Sequence, residues 1–478
     1  MLSISKSICF AVSLLGLSST MAFAMPTAYL PIGKDKILEY QIEKMFTLTA
    51  ITPMSKPYRI TEINQHIVKL GKIDPALQAS IRARIAPYLE RDAITRRGVK
   101  LRIDSGDEQR LANDRGNYSS EYAELSLDGI YRGSDNSLMQ LGAEYRVETG
   151  KLIQYNTFYA LGGENLQLNL GYKEHWFSPF KHSAQVYSTN AKAPLSVSVG
   201  LNTPLQNWWN FDFELFYAEL EQVDKGIHYQ GKLHDGTPKL AGTHISIEPL
   251  KNWKLGINRV MQFGGGPRKV DFKDVFKAYF DPAGSDNSGL TGGTDNELGD
   301  QWATVTTSFK TNWVTPVEWY IEHGGEDTRE HKNYLFGNSV TSFGAYVPRL
   351  TKDISLRYEY SDISELWYTH HIYPRKGNSI DDFVLGHFAS NHRNFNHGVA
   401  TTSQVLEVNY FESLDSMWSI KLTSVENQPN ENFEYKKMNE VKLSNTRKIS
   451  SYQVETSLTA GKDVYGENYT WLSVNVYW

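Results

Sequence analysis

The chain ends on WLSVNVYW, residues 471–478. Successive side chains of a strand point to opposite sides, so Leu472, Val474, Val476 and Trp478 share one face. Trp471, Ser473, Asn475 and Tyr477 share the other. An alternating last strand that stops on an aromatic residue is typical of barrels inserted into an outer membrane. The same period recurs upstream. Leu195, Val197, Val199 and Leu201 alternate with Ser196, Ser198 and Gly200. Ile354, Leu356, Tyr358 and Tyr360 alternate with Asp353, Ser355, Arg357 and Glu359. A soluble β-sandwich carries the same alternation, so the links between strands carry the decision.

From about residue 97 onward the pattern predicts about eighteen strands, the first near 97–105 and the last near 467–478. After every even-numbered strand the link is short and turn-like, as in GSDNS at Gly133, EPLKN at Glu248, TNWVT at Thr311 and ESLDS at Glu412. After several odd-numbered strands it is long, at about 174–193, 223–240, 263–300, 324–340 and 363–400. Tight turns at one end and long loops at the other mark an outer-membrane barrel with periplasmic turns and extracellular loops. The expected fold class is all-β: an antiparallel outer-membrane barrel of about eighteen strands with a small N-terminal α-helical periplasmic domain.

Composition narrows the function. With 49 Lys plus Arg against 54 Asp plus Glu, the chain lacks the basic surplus of a nucleic-acid binder. A mean hydropathy of −0.45 is too low for a polytopic helical membrane protein. It suits a barrel, where only alternate strand residues meet lipid. Residues 1–24 read as a signal peptide, with Lys6, an apolar run from Ile8 to Leu17 and the A-x-A site Ala22-Phe23-Ala24. Cleavage after Ala24 would remove Cys9, the single cysteine. Residues 25–96 are expected as a periplasmic helical segment. Ile60, Ile63, Ile67 and Leu70 fall on one helical face, Asp74-Pro75 reads as an N-cap with Pro at the first helical position, and Leu77, Ile81, Ile85 and Leu89 form a stripe. Short helices are marginal alone and need a partner surface. Residues 97–478 are expected to form the transmembrane barrel, with Asp271 to Phe280 as an amphipathic helix inside the mouth, acting as a plug.

Several segments together resemble the Wzi-type capsule-assembly family of outer-membrane proteins. They are SKPYRI at Ser55, GYKEHWFSPFKHSAQVYSTNAKAPLSVSVGL from Gly171 to Leu201, RVMQFGGGPRKVDFKDVF from Arg259 to Phe276, EHGGED at Glu322, LRYEYSD at Leu356 and LGH at Leu385. The family's double Trp stands here as His175-Trp176, followed by Phe177. The resemblance implies an eighteen-stranded barrel, a periplasmic helical bundle and non-enzymatic, lectin-like attachment of capsular or exopolysaccharide at the cell surface.

The densest constellation of binding chemistry is one loop. It holds Trp367, Tyr368, His370, His371, Tyr373, Arg375, His392 and Arg393. With Trp176 of the earlier loop, these are the candidate polysaccharide contacts, because sugar C–H faces stack on aromatic rings and hydroxyls or acidic groups bind Arg. An ordered extracellular loop packing on itself or plugging the lumen explains the same residues equally well. A zinc site of His370, His371, His387 and His392 is disfavoured, since the spacing matches no standard ligand pattern. No metal or cofactor is expected. The other partners expected are outer-membrane lipid and the outer-membrane assembly machinery, the latter through the C-terminal strand. Two other functions compete: a porin or specific sugar channel, and an outer-membrane hydrolase using Ser390, His392 and Asp382.

Overall fold

The computed structural model describes residues 25–478 except 164, 281–294, 296, 331, 395 and 396. The expected signal peptide lies outside the described residues. Nineteen strand segments join in one antiparallel sheet. Leu152–Gln154 and Thr157–Gly162 both pair with Ser137–Arg146 and form one interrupted stave, so the barrel has eighteen. The interruption falls at Asn156, whose left-handed φ of 44° breaks the extended backbone, and a Cβ on the facing Gly142 would meet the Tyr155 carbonyl oxygen at 2.3 Å.

Closure joins the two ends of the sheet. The first strand, Asp92–Gly106, pairs with Ala123–Ser134 on one edge and with the last strand, Asn468–Tyr477, on the other. Leu101 faces Val474 and Val99 faces Val476, and Trp478 and Arg97 exchange both backbone hydrogen bonds at 2.9 and 3.0 Å. Among the described residues the sheet has no open edge, the condition for a sheet to cross a bilayer. The period-two pattern sorts the side chains. Leu125, Leu141, Ile257, Leu443 and Leu472 face out and are exposed, while Ser473, Asn475, Glu318 and Arg357 face in and are buried. Exposed Trp253, Trp313, Trp418, Tyr452 and Trp478 ring the short-turn end, as an aromatic girdle does at a membrane interface.

Two expectations need correction. Residues 324–340, expected as a loop, form the far end of a long hairpin of Pro316–Arg329 with Lys332–Val347. Asp327 pairs with Gly337 and Thr328 with Phe336, because ladder bonds come from the backbone and tolerate these residues. The expected plug helix does form, as Phe272–Phe280, but it does not enter the mouth. It packs against Ala241, Met261 and Phe263, and Arg259 donates to the carbonyls of Ala278 and Tyr279 at 3.0 and 3.1 Å. These partners alternate with the lumen-facing Leu240, Val260 and Gln262, so the helix rides on the barrel's outer side.

The lumen is filled by other parts of the chain. Helices α1 (Lys36–Thr49), α2 (Ile60–Leu70) and α3 (Pro75–Ile85) do not stand apart from the barrel; they lie inside its short-turn end. Asp35 and Asp74 cap α1 and α3 by accepting from Leu38 N and Leu77 N. Leu38, Ile42, Met45 and Phe46 pack with Ile60, Ile63, Ile67, Leu77 and Ile81, and this core continues onto Ile130, Leu138 and Phe158 of the wall. α1 crosses the lumen. Its Lys36 pairs with Glu455 and its Thr47 hydroxyl donates to Glu318 at 2.9 Å on another part of the wall. Fourteen residues of helix span about 21 Å, enough for that crossing.

Charge pairs clamp the helical segment to the wall. Arg357 Nη2 lies 2.7 Å from Glu43 of α1, and Arg59, the residue before α2, holds Asp212 with two bonds of 2.9 Å. Removing one partner of such a buried pair leaves a stranded charge and costs about 3–5 kcal/mol. Arg59→Ala, which strands Asp212, should lower the unfolding free energy by about 3–5 kcal/mol in urea titration of the detergent-purified protein, and Arg357→Ala by less, since Lys181 stays 3.2 Å from Glu43. An unchanged transition in both variants would mean that these pairs do not hold the helices.

Candidate functional site

Loops fill the other end of the lumen. The segment after the strand Leu166–Tyr172 descends into the barrel, where Lys56 and Trp176 exchange backbone bonds of 2.9 and 3.0 Å. It then rises to meet the loop between Ile354–Ile363 and Thr401–Ser413. The two segments interlock through backbone and short polar side chains. Ser188 N donates to Leu385 O at 2.7 Å, Ser188 Oγ to Gly386 O at 2.6 Å and Asn190 Nδ2 to Val384 O at 2.9 Å. Phe177, Tyr187, Trp302, Trp367, Tyr368, Phe383 and Phe388 form the apolar core of this cap.

The sequence-selected residues are distributed through three environments. Trp367, Tyr368 and Arg393 come together inside the cap. Both aromatic residues are 0% exposed, and Arg393 donates to Trp367 O at 2.7 Å. The Tyr368 hydroxyl donates to Gln185 O and accepts from His387 N at 2.7 Å. Burial pulls the Arg393 guanidinium down to about 10, with Tyr368 and Tyr435 as opposing influences. Trp176 lies deeper, at the junction with the helices, where its indole donates to Phe180 O and Lys56 Nζ sits over its ring. These side chains pack the interior, and a polymer on the outer surface does not reach them.

His370, His371 and Tyr373 form the second group. Tyr373 is buried and donates to Gly264 O at 3.1 Å. The Nε2 atoms of His370 and His371 lie 3.0 and 2.7 Å from the two carboxylate oxygens of Glu297. Burial acts to raise the Glu297 carboxyl, but the hydrogen bonds and charges of the two imidazoles prevail and hold it at about 2. The two histidines and one carboxylate converge as metal ligands do, with ligand atoms within 4.8 Å of one another. The sequence-based set of four histidines is not assembled. His387 and His392 belong to the cap, where His387 Nδ1 accepts from Ala389 N at 3.1 Å. Glu297 was not selected from the sequence, since it sits in a polar stretch with no periodicity to single it out.

Arg375 is the third case. It is exposed and reaches Asp224 O at 3.4 Å. Beside it Lys376 bridges Asp382 and Glu221, and Lys192 and Lys151 converge on Asp381. This charged rim, with half-exposed His371, is the outward surface that the cap offers. Asp382 bonds to Lys376, and among the described residues no hydrogen bond links Ser390, His392 and Asp382 as a hydrolytic set. Under the cap, a cavity of about 280 Å³ remains between the helices and the wall. Lys36, Lys421, Lys442, Trp471 and Asn475 are among its lining residues, with Arg110 and His392 nearer the loops.

A closed barrel with an apolar outer band, a lumen filled by helices from one end and a mouth capped by interlocked loops defines a plugged outer-membrane barrel. The chain belongs to the capsule assembly protein Wzi family, whose family model matches residues 95–442. The solved structure of Wzi, an outer membrane protein involved in group 1 capsule assembly in Escherichia coli and a carbohydrate-binding β-barrel, has a similar fold. It aligns over 96% of this chain and 99% of that one, at 14% identity and TM-score 0.69. An uncharacterized 55.8 kDa protein in the cps region of Klebsiella pneumoniae is 24% identical over 224 residues, which is 44% of this chain but only 39% of that protein. OccAB4 of Acinetobacter baumannii aligns over 80% of this chain and 96% of its own at 10% identity, with a TM-score of 0.45, a likeness too slight to argue from.

The cap should be acid-sensitive while the barrel is not. Burial holds His387 down to about 3 and His392 to about 4, with the neighbouring His392 and Arg110 charges adding to the effect. Both are therefore neutral in the folded cap, against an ordinary value of about 6.5. Keeping them neutral contributes stability in full above about pH 6.5, and that stability is lost as pH falls toward 4 and 3. Protonation of His387 Nδ1 would also break its bond from Ala389 N. Near-ultraviolet circular dichroism of the cap aromatics should decay over this window while the far-ultraviolet β signal persists. A near-ultraviolet spectrum unchanged at pH 3.5 would contradict this.

Proposed function

We propose that this protein holds capsular or exopolysaccharide at the outer face of the outer membrane, as a non-catalytic carbohydrate-binding barrel. The observation that carries the reading is the double filling of the lumen, by α1–α3 from the short-turn end and by interlocked loops from the other. A barrel filled in this way holds a polymer on its rim better than it passes one. Membership of the Wzi family supports the same reading. On this account the short-turn end faces the periplasm, the apolar band meets outer-membrane lipid, and the C-terminal strand is read by the assembly machinery. Residues 25–96 serve as the periplasmic-side plug.

Polymer contact falls to the outward rim. Arg375 and Lys376 supply cations, and His371 a ring N–H, for carboxylate and hydroxyl groups. Trp367 and Tyr368 act indirectly, by giving the cap its shape. The test is retention of cell-surface polysaccharide by variants in a capsule-producing host. Arg375→Ala combined with His371→Ala should release polymer into the medium while barrel assembly, read from heat-modifiable gel mobility, stays normal. Trp367→Ala should reduce retention only together with loss of the cap's near-ultraviolet signal. Wild-type retention by the double rim variant would remove the rim from the binding surface.

A further inference from the structure

One row of lumen-facing residues runs round the wall at the level of α1. In order it reads Glu318, Tyr346, Arg357, Glu407, Lys421 and Lys442, each directly opposite the next on the neighbouring strand. As far as Lys421 the charged neighbours complement one another. Arg357 is followed by Glu407, which accepts from the Tyr40 hydroxyl, and Glu407 is followed by Lys421. The row then breaks its rule with two lysines side by side. Both point inward, because Ile420, Leu422, Val441 and Leu443 on either side of them are exposed on the outer face. Like charges directly opposite on a sheet repel.

The nearby carboxylates are engaged elsewhere. Glu455 pairs with Lys36, Glu440 accepts from the Tyr469 hydroxyl at 3.2 Å, and Glu407 lies 3.4 Å from His182 Nε2. Among the described residues no carboxylate oxygen lies within 4.0 Å of the Lys421 or Lys442 ammonium, although Glu455 and Glu440 are near enough to attract Lys442. Both line the 280 Å³ cavity, together with Trp471. Thr423 Oγ1 and Asn475 Oδ1 belong to the same lining and are buried with no hydrogen-bond partner among the described residues. Two adjacent ammonium groups, a free hydroxyl and an indole ring thus share one chamber. Gln109, Arg110 and His392 line both this chamber and a second depression beside Asp463 and Tyr465, so it opens toward the loops.

We propose that this chamber binds a small anion bearing a carboxylate or phosphate group, held between Lys421 and Lys442. The cavity is close to the lower end of the roughly 300–1,000 Å³ range of ligand pockets, so it suits a single sugar acid or inorganic phosphate. The site is separate from the outward rim and stands whether or not Arg375 contacts polymer. Calorimetric titration of the detergent-purified full chain with glucuronate, inorganic phosphate and neutral glucose tests it. At least one anion should bind and glucose should not; glucuronate alone would identify a sugar-acid site and phosphate alone a phosphate site. Lys421→Gln and Lys442→Gln should each weaken binding by about tenfold or more, corresponding to loss of about 1.4 kcal/mol. Lys442→Arg, which keeps the charge, should retain it. Without ligand, both Gln variants should melt at or above the wild-type temperature, since the repulsion is gone. Absence of binding by either anion, equal binding by both Gln variants, or a fall in melting temperature in both would overturn the proposal.

Discussion

Everything in this molecule follows from the need to pair every backbone amide inside the hydrocarbon of a bilayer. A sheet meets that need only by closing on itself, and here the first strand, Asp92–Gly106, closes on the last, Asn468–Tyr477. Closure fixes register, and register fixes which side chains face lipid. A slip of one residue would turn Leu472 and Val474 inward and bring Ser473 and Asn475 to the lipid. The polar alternate residues are then confined to the lumen. Eighteen staves enclose a space wide enough to hold a helix lengthwise across it, and the chain fills that space with its own segments.

The filling has three layers. Apolar α1–α3 occupy the short-turn end and the aromatic cap occupies the loop end. Between them lies a charged layer in which Glu43 meets Arg357 and Lys181, and Glu318 receives Thr47 and Thr52. Charges buried in this way are held by geometry and additional hydrogen bonds, and they specify position more than they add stability. The layer orients the helices, and the same layer contains the unbalanced Lys421 and Lys442. The cap is set apart by its chemistry: its neutral buried histidines make it the part of the molecule most responsive to acid.

The barrel was legible because its signal is local. Alternation marks each strand, and the turn residues at Gly133, Glu248, Thr311 and Glu412 mark one end. The hairpin tip at 324–340 was not legible, since Gly324, Gly325 and Asp327 read as loop residues while their backbone pairs as strand. The helices were legible as helices from Ile60, Ile63 and Ile67, but nothing local says that their partner surface is the inside of the barrel. The site was legible least. Trp367, Tyr368 and Arg393 look like ligand contacts in sequence because the same residue types build a packed cap. Glu297 becomes visible only when two distant loops meet, and Lys421 and Lys442 become neighbours only through strand register.

The central claim is a barrel whose lumen is occupied by its own chain, and ion conductance in planar bilayers tests it most directly. The intact protein is predicted to give no steady current, because the helices and the loop cap each occlude the lumen. A steady open-channel current from the intact protein would contradict the account.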